Sequence, residues 1–186
     1  MSPPDLRVRR ARPGDAAAIA QVHVETWQAA YAGLVPDAYL VRMTEAGQTF
    51  TWRRSLARSR TDERVLVAER AGAGGRAELV GFASYGPHRG RDLPYSGELY
   101  TLYVLPDWQS AGIGRRLLQR SLRGLYERGI PDCVVWVLAA NPGRFFYERM
   151  GGERVAERQE AFAGTDLAQA AYAWPDLEAW LQQTGG

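Results

Sequence analysis

The sequence predicts a single-domain α/β fold, and three features carry that prediction. The length suits one core, strand and helix periodicities alternate from end to end, and one strand runs through a glycine loop straight into a leucine-striped helix. At 186 residues the chain is long enough for one buried core and short of two ordinary domains, which take roughly 100 to 200 residues each. With 46% hydrophobic and 24% charged residues and six tryptophans, it has the composition of a folded globular protein. Its 23 basic residues nearly balance 21 acidic ones, so the net charge of +2 creates no overall field calling for nucleic acid or a membrane. The single cysteine, Cys133, rules out an internal disulfide and a cysteine-rich metal cluster, and suits a reducing compartment. Met1 to Arg12 is basic without an apolar h-region, and no apolar run approaches the ~20 residues of a membrane span. A soluble, cytoplasmic protein is expected, one domain over 1–186 with its core over about 5–175 and a C-terminal helix or tail over 176–186.

Taken in order, Leu6 to Ala11 alternates apolar and basic side chains, as a strand with one buried face does. Pro13-Gly14-Asp15 then supplies a turn and an N-cap. The helix that follows places Ile19, Val22, His23, Thr26, Trp27, Ala30 and Tyr31 on one stripe and ends near Gly33. Pro36 opens a second helical stretch. Val65–Glu69 and Leu79–Tyr85 predict two hairpin strands, joined by a glycine-rich loop, Ala71 to Arg76, that is too long for a tight turn and is expected to be mobile. Glu98 to Leu105 is a further strand, closed by Pro106, which has no ladder donor.

Gln109-Ser110-Ala111-Gly112-Ile113-Gly114 follows that strand and leads into Arg115 to Arg128, where Leu117, Leu118, Leu122 and Leu125 recur at helical spacing. Strand, glycine loop and helix in this order leave backbone N–H groups unpaired at the positive end of a helix, which suits a phosphate. Arg115 and Arg116 occupy a first turn where basic residues are disfavoured unless an anion is near. The competing account, in which the glycines only turn the chain and the arginines only face water, is decided by the flanking sequence. The loop lacks the G-x-x-x-x-G-K-[ST] of a nucleotide-triphosphate site. It also fails the G-x-G-x-x-G dinucleotide fingerprint, because position 117 is leucine.

The segment does match Q/R-x-x-G-x-G/A, preceded by a strand ending Leu102-Tyr103-Val104 and followed by a strand ending at Asn141 and then by Phe146-Tyr147-Glu148-Arg149-Met150-Gly151-Gly152. On these landmarks, and on Arg9 to Asp15 followed by a helix carrying Trp27 and Tyr31, the chain resembles the GCN5-related N-acetyltransferase (GNAT) family along nearly its whole length. It departs from the common N-x-x-A-x-x-F-Y form by one residue between Asn141 and Tyr147, and Gly152 stands where an aromatic is frequent.

The resemblance implies a mixed, mostly antiparallel sheet splayed between the strands at 99–105 and 133–140, flanked by about four helices, with acetyl-coenzyme A inserted at the splay. It implies that the main chain of Leu102, Tyr103 and Val104 holds the pantetheine amides. The loop from Gln109 through Ser110, Ala111, Gly112, Ile113 and Gly114 to Arg115 then holds the diphosphate. Asn141 either bonds the pantetheine arm or caps the helix expected to start at Pro142. The implied activity is acetyl transfer to a primary amine of a small molecule or a protein; a catalytically silent acyl-CoA-binding module is the alternative.

An alkyl ammonium has a reference pKa of roughly 10.4 and must lose a proton before it attacks. Glu98, at the start of its strand, is the expected general base, directly or through water, and Tyr147 matches the family's position for the donor that protonates the leaving thiolate. A backbone N–H near Val104 is expected to steady the developing oxyanion. The family's acceptor region corresponds to Trp27, Tyr31, Tyr39, Trp52 and Tyr172, which either form an aromatic cage or pack the core. His23 shares their stripe as a buried histidine or a second candidate base. His88 has no companion ligands, so no metal is expected, and Cys133 lies far from any base, so direct transfer is expected over an acyl-cysteine. Trp174 to Leu181 predicts a strand end and a short helix docking on the core or on a second subunit, with a homodimer as the expected assembly.

Overall fold

The computed structural model of the chain describes residues 6–57, 62–72 and 77–185. Most of the loop expected to be mobile, 73–76, lies outside the described residues. Seven strands form one sheet in the order β1-β2-β3-β4-β5-β7-β6. They are β1 (Arg7–Arg10), β2 (Arg64–Ala71), β3 (Ala77–Pro87), β4 (Gly97–Val104), β5 (Cys133–Leu138), β6 (Glu153–Phe162) and β7 (Thr165–Trp174). Every neighbouring pair is antiparallel except β4 and β5, which are parallel.

The described residues form six α-helices, not about four: α1 (Ala16–Ala30), α2 (Asp37–Arg42), α3 (Glu45–Ala57), α4 (Ile113–Tyr126), α5 (Arg144–Arg149) and α6 (Leu177–Gln183). The stretch opened by Pro36 divides in two because Met43 turns extended, and the Thr44 hydroxyl then accepts the N–H of Gly47, restarting the helix. Asp15 precedes α1 without capping it through its side chain. Its carboxylate instead reaches back to the Arg12 N–H at 2.7 Å and pairs with Arg9, which also binds Glu69 on β2.

One sheet face is covered by α1 and α3, with Ile19, Val22 and Trp52 packed on Val65, Val67 and Phe82. The other is covered by α4 and α6, whose Leu117, Leu118, Leu122, Leu125 and Leu177 meet Val80, Leu99, Val135 and Trp174. The core therefore runs past residue 175. Leu177, Trp180 and Leu181 are buried, and the Trp180 indole N–H donates to the Met150 carbonyl at 2.8 Å, so α6 docks on the chain's own core. The β6–β7 hairpin turns at Ala163 and Gly164, both with positive φ, as a two-residue hairpin turn requires. Among the described residues no helix is long and apolar enough to cross a membrane.

Candidate functional site

The sheet opens between β4 and β5. The two strands are in register only at Glu98 and Val134, and beyond that point they diverge. Gly97 makes the closed end possible, because a Cβ there would lie 2.6 Å from the Asp132 carbonyl and 2.8 Å from Ile130. At the open end lies a groove of about 1120 Å³.

One wall is the free edge of β4 at Leu102, Tyr103 and Val104, continuing into Gln109, Ser110, Ala111, Gly112, Gly114 and Arg115. Ile113 is absent from the groove lining because its side chain is buried in the core, leaving its backbone for the loop. Gln109 pins the loop by donating from Nε2 to the Val104 carbonyl at 3.2 Å. Ser110 and Gly112 both take left-handed φ, 61° and 79°, which brings the chain sharply into α4. Gly112 is the N-cap and has no side chain to offer, so the first N–H groups of α4 meet no capping side chain, while Arg115 and Arg116 line the same groove. Donors, dipole and guanidiniums together suit a diphosphate, and the unpaired strand edge suits an amide-bearing arm.

The facing wall is β5 at Val135, Trp136 and Val137, then Asn141, Phe146, Tyr147 and Arg149. Asn141 keeps a turn-capping part, since its Oδ1 accepts the Gly143 N–H at 2.8 Å and the helix begins at Arg144, two residues later than expected. Four phenols line the groove: Tyr31, Tyr100, Tyr103 and Tyr147. Burial pushes the pKa of each above the usual tyrosine range, so each is a proton donor at neutral pH. The Tyr103 side chain was not foreseen as a groove residue. A register shift that leaves Tyr100 without a partner opposite Ser84 and Tyr85 sets which β4 side chains share that face.

Glu98 lies apart from these residues. It does not line the groove; its Oε2 accepts the Arg89 backbone N–H at 2.9 Å and its Oε1 faces the Arg89 guanidinium at 3.3 Å. Tyr172 also lies apart from them. It is fully buried on the α5 side of β7, donating to Glu148 at 2.7 Å and accepting from Arg144, because strand alternation turns it away from α1. His23 lies beneath the groove, stacked on Tyr103 at 5.4 Å, and its Nδ1 accepts the Trp52 indole N–H at 3.2 Å. On its other side it floors a separate surface cavity of about 370 Å³ between α1 and α3. Burial lowers its pKa to about 4, so it stays neutral and is a weak base. Cys133 is fully buried, and burial raises its thiol pKa, so it rests as a thiol away from the opening.

The expected aromatic wall is present in part. Trp27 packs against Tyr31 at 4.6 Å and Tyr39 at 5.7 Å, and Phe162 from the β6–β7 hairpin closes on Tyr39 at 4.6 Å. Phe162 carries no local signal, since only tertiary folding brings it to α1. Trp52 belongs to the core beside His23 and not to this wall.

The His23 environment predicts a pH dependence of stability. Its folded pKa lies below the unfolded value of 6.5, so the unfolded chain binds the extra proton between about pH 4 and 6.5. The melting temperature is therefore expected to be highest above pH 6.5 and to fall as pH drops toward 4. In thermal melts, His23→Gln should show a smaller fall across that window than the parent chain.

Residues 61–151 match the family model described as an acetyltransferase (GNAT) domain. Over 174 residues the chain is 36% identical to YuaI of Bacillus subtilis, an uncharacterized N-acetyltransferase, covering 94% of this chain and 95% of the relative. A probable N-acetyltransferase of Mycobacterium tuberculosis is 29% identical, with 80% of each chain covered. Among solved structures, yncA of Salmonella typhimurium, a putative acetyltransferase with its cofactor acetyl-CoA, superposes at TM-score 0.69 with 24% identity, covering 93% of this chain and 94% of that one. The PaiA N-acetyltransferase of Thermoplasma acidophilum in complex with coenzyme A superposes at 0.61 with 22% identity, covering 89% and 97%.

Proposed function

The chain belongs to the GNAT acetyltransferase family, and from that membership we propose that it binds acetyl-coenzyme A in the groove between β4 and β5 and transfers the acetyl group directly to a primary amine. The observation that carries this is the opening of the sheet at an uncapped helix start, with a buried phenol, Tyr147, on the opposite wall.

Acetyl-coenzyme A supplies the activated thioester. Gly112, Gly114 and the start of α4 hold its diphosphate with Arg115 and Arg116, and the β4 edge from Leu102 to Val104 pairs with its amide arm. Tyr147 holds a proton on its hydroxyl oxygen at the wall where the thiolate leaves, and gives it to sulfur as the carbon–sulfur bond breaks. The proton shed by the new amide nitrogen restores the phenol, so the cycle closes without net proton uptake. A main-chain N–H near Val104 would steady the oxyanion as charge develops on the thioester oxygen. Glu98 keeps a positioning part, tying the segment after β3 to β4 through Arg89. Tyr31, backed by Trp27, Tyr39 and Phe162, would face the acceptor.

Calorimetry with acetyl-CoA, followed by thiol release against a panel of amines, tests the proposal. Saturable binding with turnover is expected; absence of binding would remove the donor-site assignment, and binding without turnover on any amine would leave a silent acyl-CoA-binding module.

A further inference from the structure

The candidate proton acceptors on the α1 side of the sheet are both engaged by the protein. Glu98 is ion-paired with Arg89, only 11% of its side chain is exposed, and the Arg89 guanidinium is itself laid 3.7 Å over the ring of Tyr100, which lines the groove. His23 has its Nδ1 lone pair filled by Trp52 and its ring stacked on Tyr103. The titratable groups that do line the groove among the described residues are Tyr31, Tyr100, Tyr103 and Tyr147, with Arg115, Arg116 and Arg149. All of these hold or donate protons at neutral pH. The groove is equipped to protonate a leaving group, while its two candidate bases are committed elsewhere.

Resting on the proposed transfer to an amine, we infer that the acceptor is a weakly basic amine, such as a peptide α-amine or an arylamine, which enters the groove already neutral. The physical reason is ionisation. At pH 7.5 an α-amine of pKa roughly 7.7 to 8.0 is about a third neutral, whereas a lysine-like amine of pKa roughly 10.4 is neutral about once in a thousand. With no carboxylate or imidazole among the groove-lining residues to take that proton before attack, the difference passes into rate.

The test uses one short peptide in two forms, α-amine free with lysine blocked and the reverse, together with a simple arylamine. Acetyl-CoA-dependent product formation is followed from pH 6 to 9 with the parent chain and Glu98→Gln. The α-amine peptide, the arylamine or both are expected to exceed the lysine form in kcat/KM by on the order of a hundredfold. Acceptance of the peptide alone or the arylamine alone would distinguish a polypeptide from a small-molecule source. For the peptide, kcat/KM should rise about tenfold per pH unit and level off at the acceptor's own pKa, and Glu98→Gln should leave that profile in place. Equal or better use of the lysine form, turnover of neither weakly basic acceptor, or a limb of the profile that Glu98→Gln removes would overturn the inference. Calorimetry on the same samples separates the two levels: loss of acetyl-CoA binding defeats the proposed function, whereas binding with lysine-preferring turnover defeats only this inference.

Discussion

Gly112→Asp is expected to weaken acetyl-CoA binding by at least about a hundredfold, the largest binding effect of any single change in the groove. Gly112 is the N-cap of α4 at φ 79°, so a carboxylate there would sit beside the same N–H groups that are proposed to receive the diphosphate. Two like charges about 4 Å apart at an effective dielectric of 20 repel by roughly 4 kcal/mol, nearly a thousandfold in affinity. Gly112→Asn separates charge from conformation, because asparagine tolerates the left-handed region about as well as aspartate but carries no charge. It should lose about tenfold or less, with a similar small drop in melting temperature in both variants. Calorimetric affinities that are unchanged in both variants would place the donor elsewhere, and equal losses would assign the effect to backbone strain.

Tyr147→Phe is expected to leave acetyl-CoA affinity within about twofold and to lower kcat by on the order of a hundredfold, about 2.7 kcal/mol of barrier. The ring is buried, edge-on to Phe146 at 5.2 Å and Trp174 at 6.3 Å, so phenylalanine retains the packing and removes only the hydroxyl. Tyr31→Phe and Tyr103→Phe serve as comparisons, since their hydroxyls line the same groove. If all three variants lose the same small factor in kcat, the phenols act together on polarity and Tyr147 has no separate place as the donor. Measuring kcat and the acetyl-CoA dissociation constant on one preparation is enough to decide.

The elements legible in the sequence were those whose causes are local. The stripe from Ile19 to Tyr31, the leucines of α4 and the strand closed by Pro106 each follow from spacings of two, three or four residues, and the structure places α4 and β4 within two residues of the expected ends and the end of α1 within three. Gly112 and Gly114 were readable for the same reason, because a left-handed N-cap and a bare helix start are properties of a few adjacent residues. The β6–β7 hairpin was not laid out as strands from its sequence, because β6 is largely exposed and its charged residues blur the alternation that marks a buried strand.

What the sequence alone determined is therefore a run of local elements: the strand, the loop, the helix start and the tyrosine beyond. Tertiary structure decided which side chains share the groove. Strand alternation on β7 buries Tyr172 against Glu148, the shift at Tyr100 places Tyr103 beside Tyr31, Arg89 claims Glu98, and a distant hairpin delivers Phe162 to Trp27. The physical reason is that backbone conformation is set by neighbours along the chain, whereas membership of a cavity depends on register and packing between elements far apart in sequence, where a one-residue shift sends a side chain to the other face.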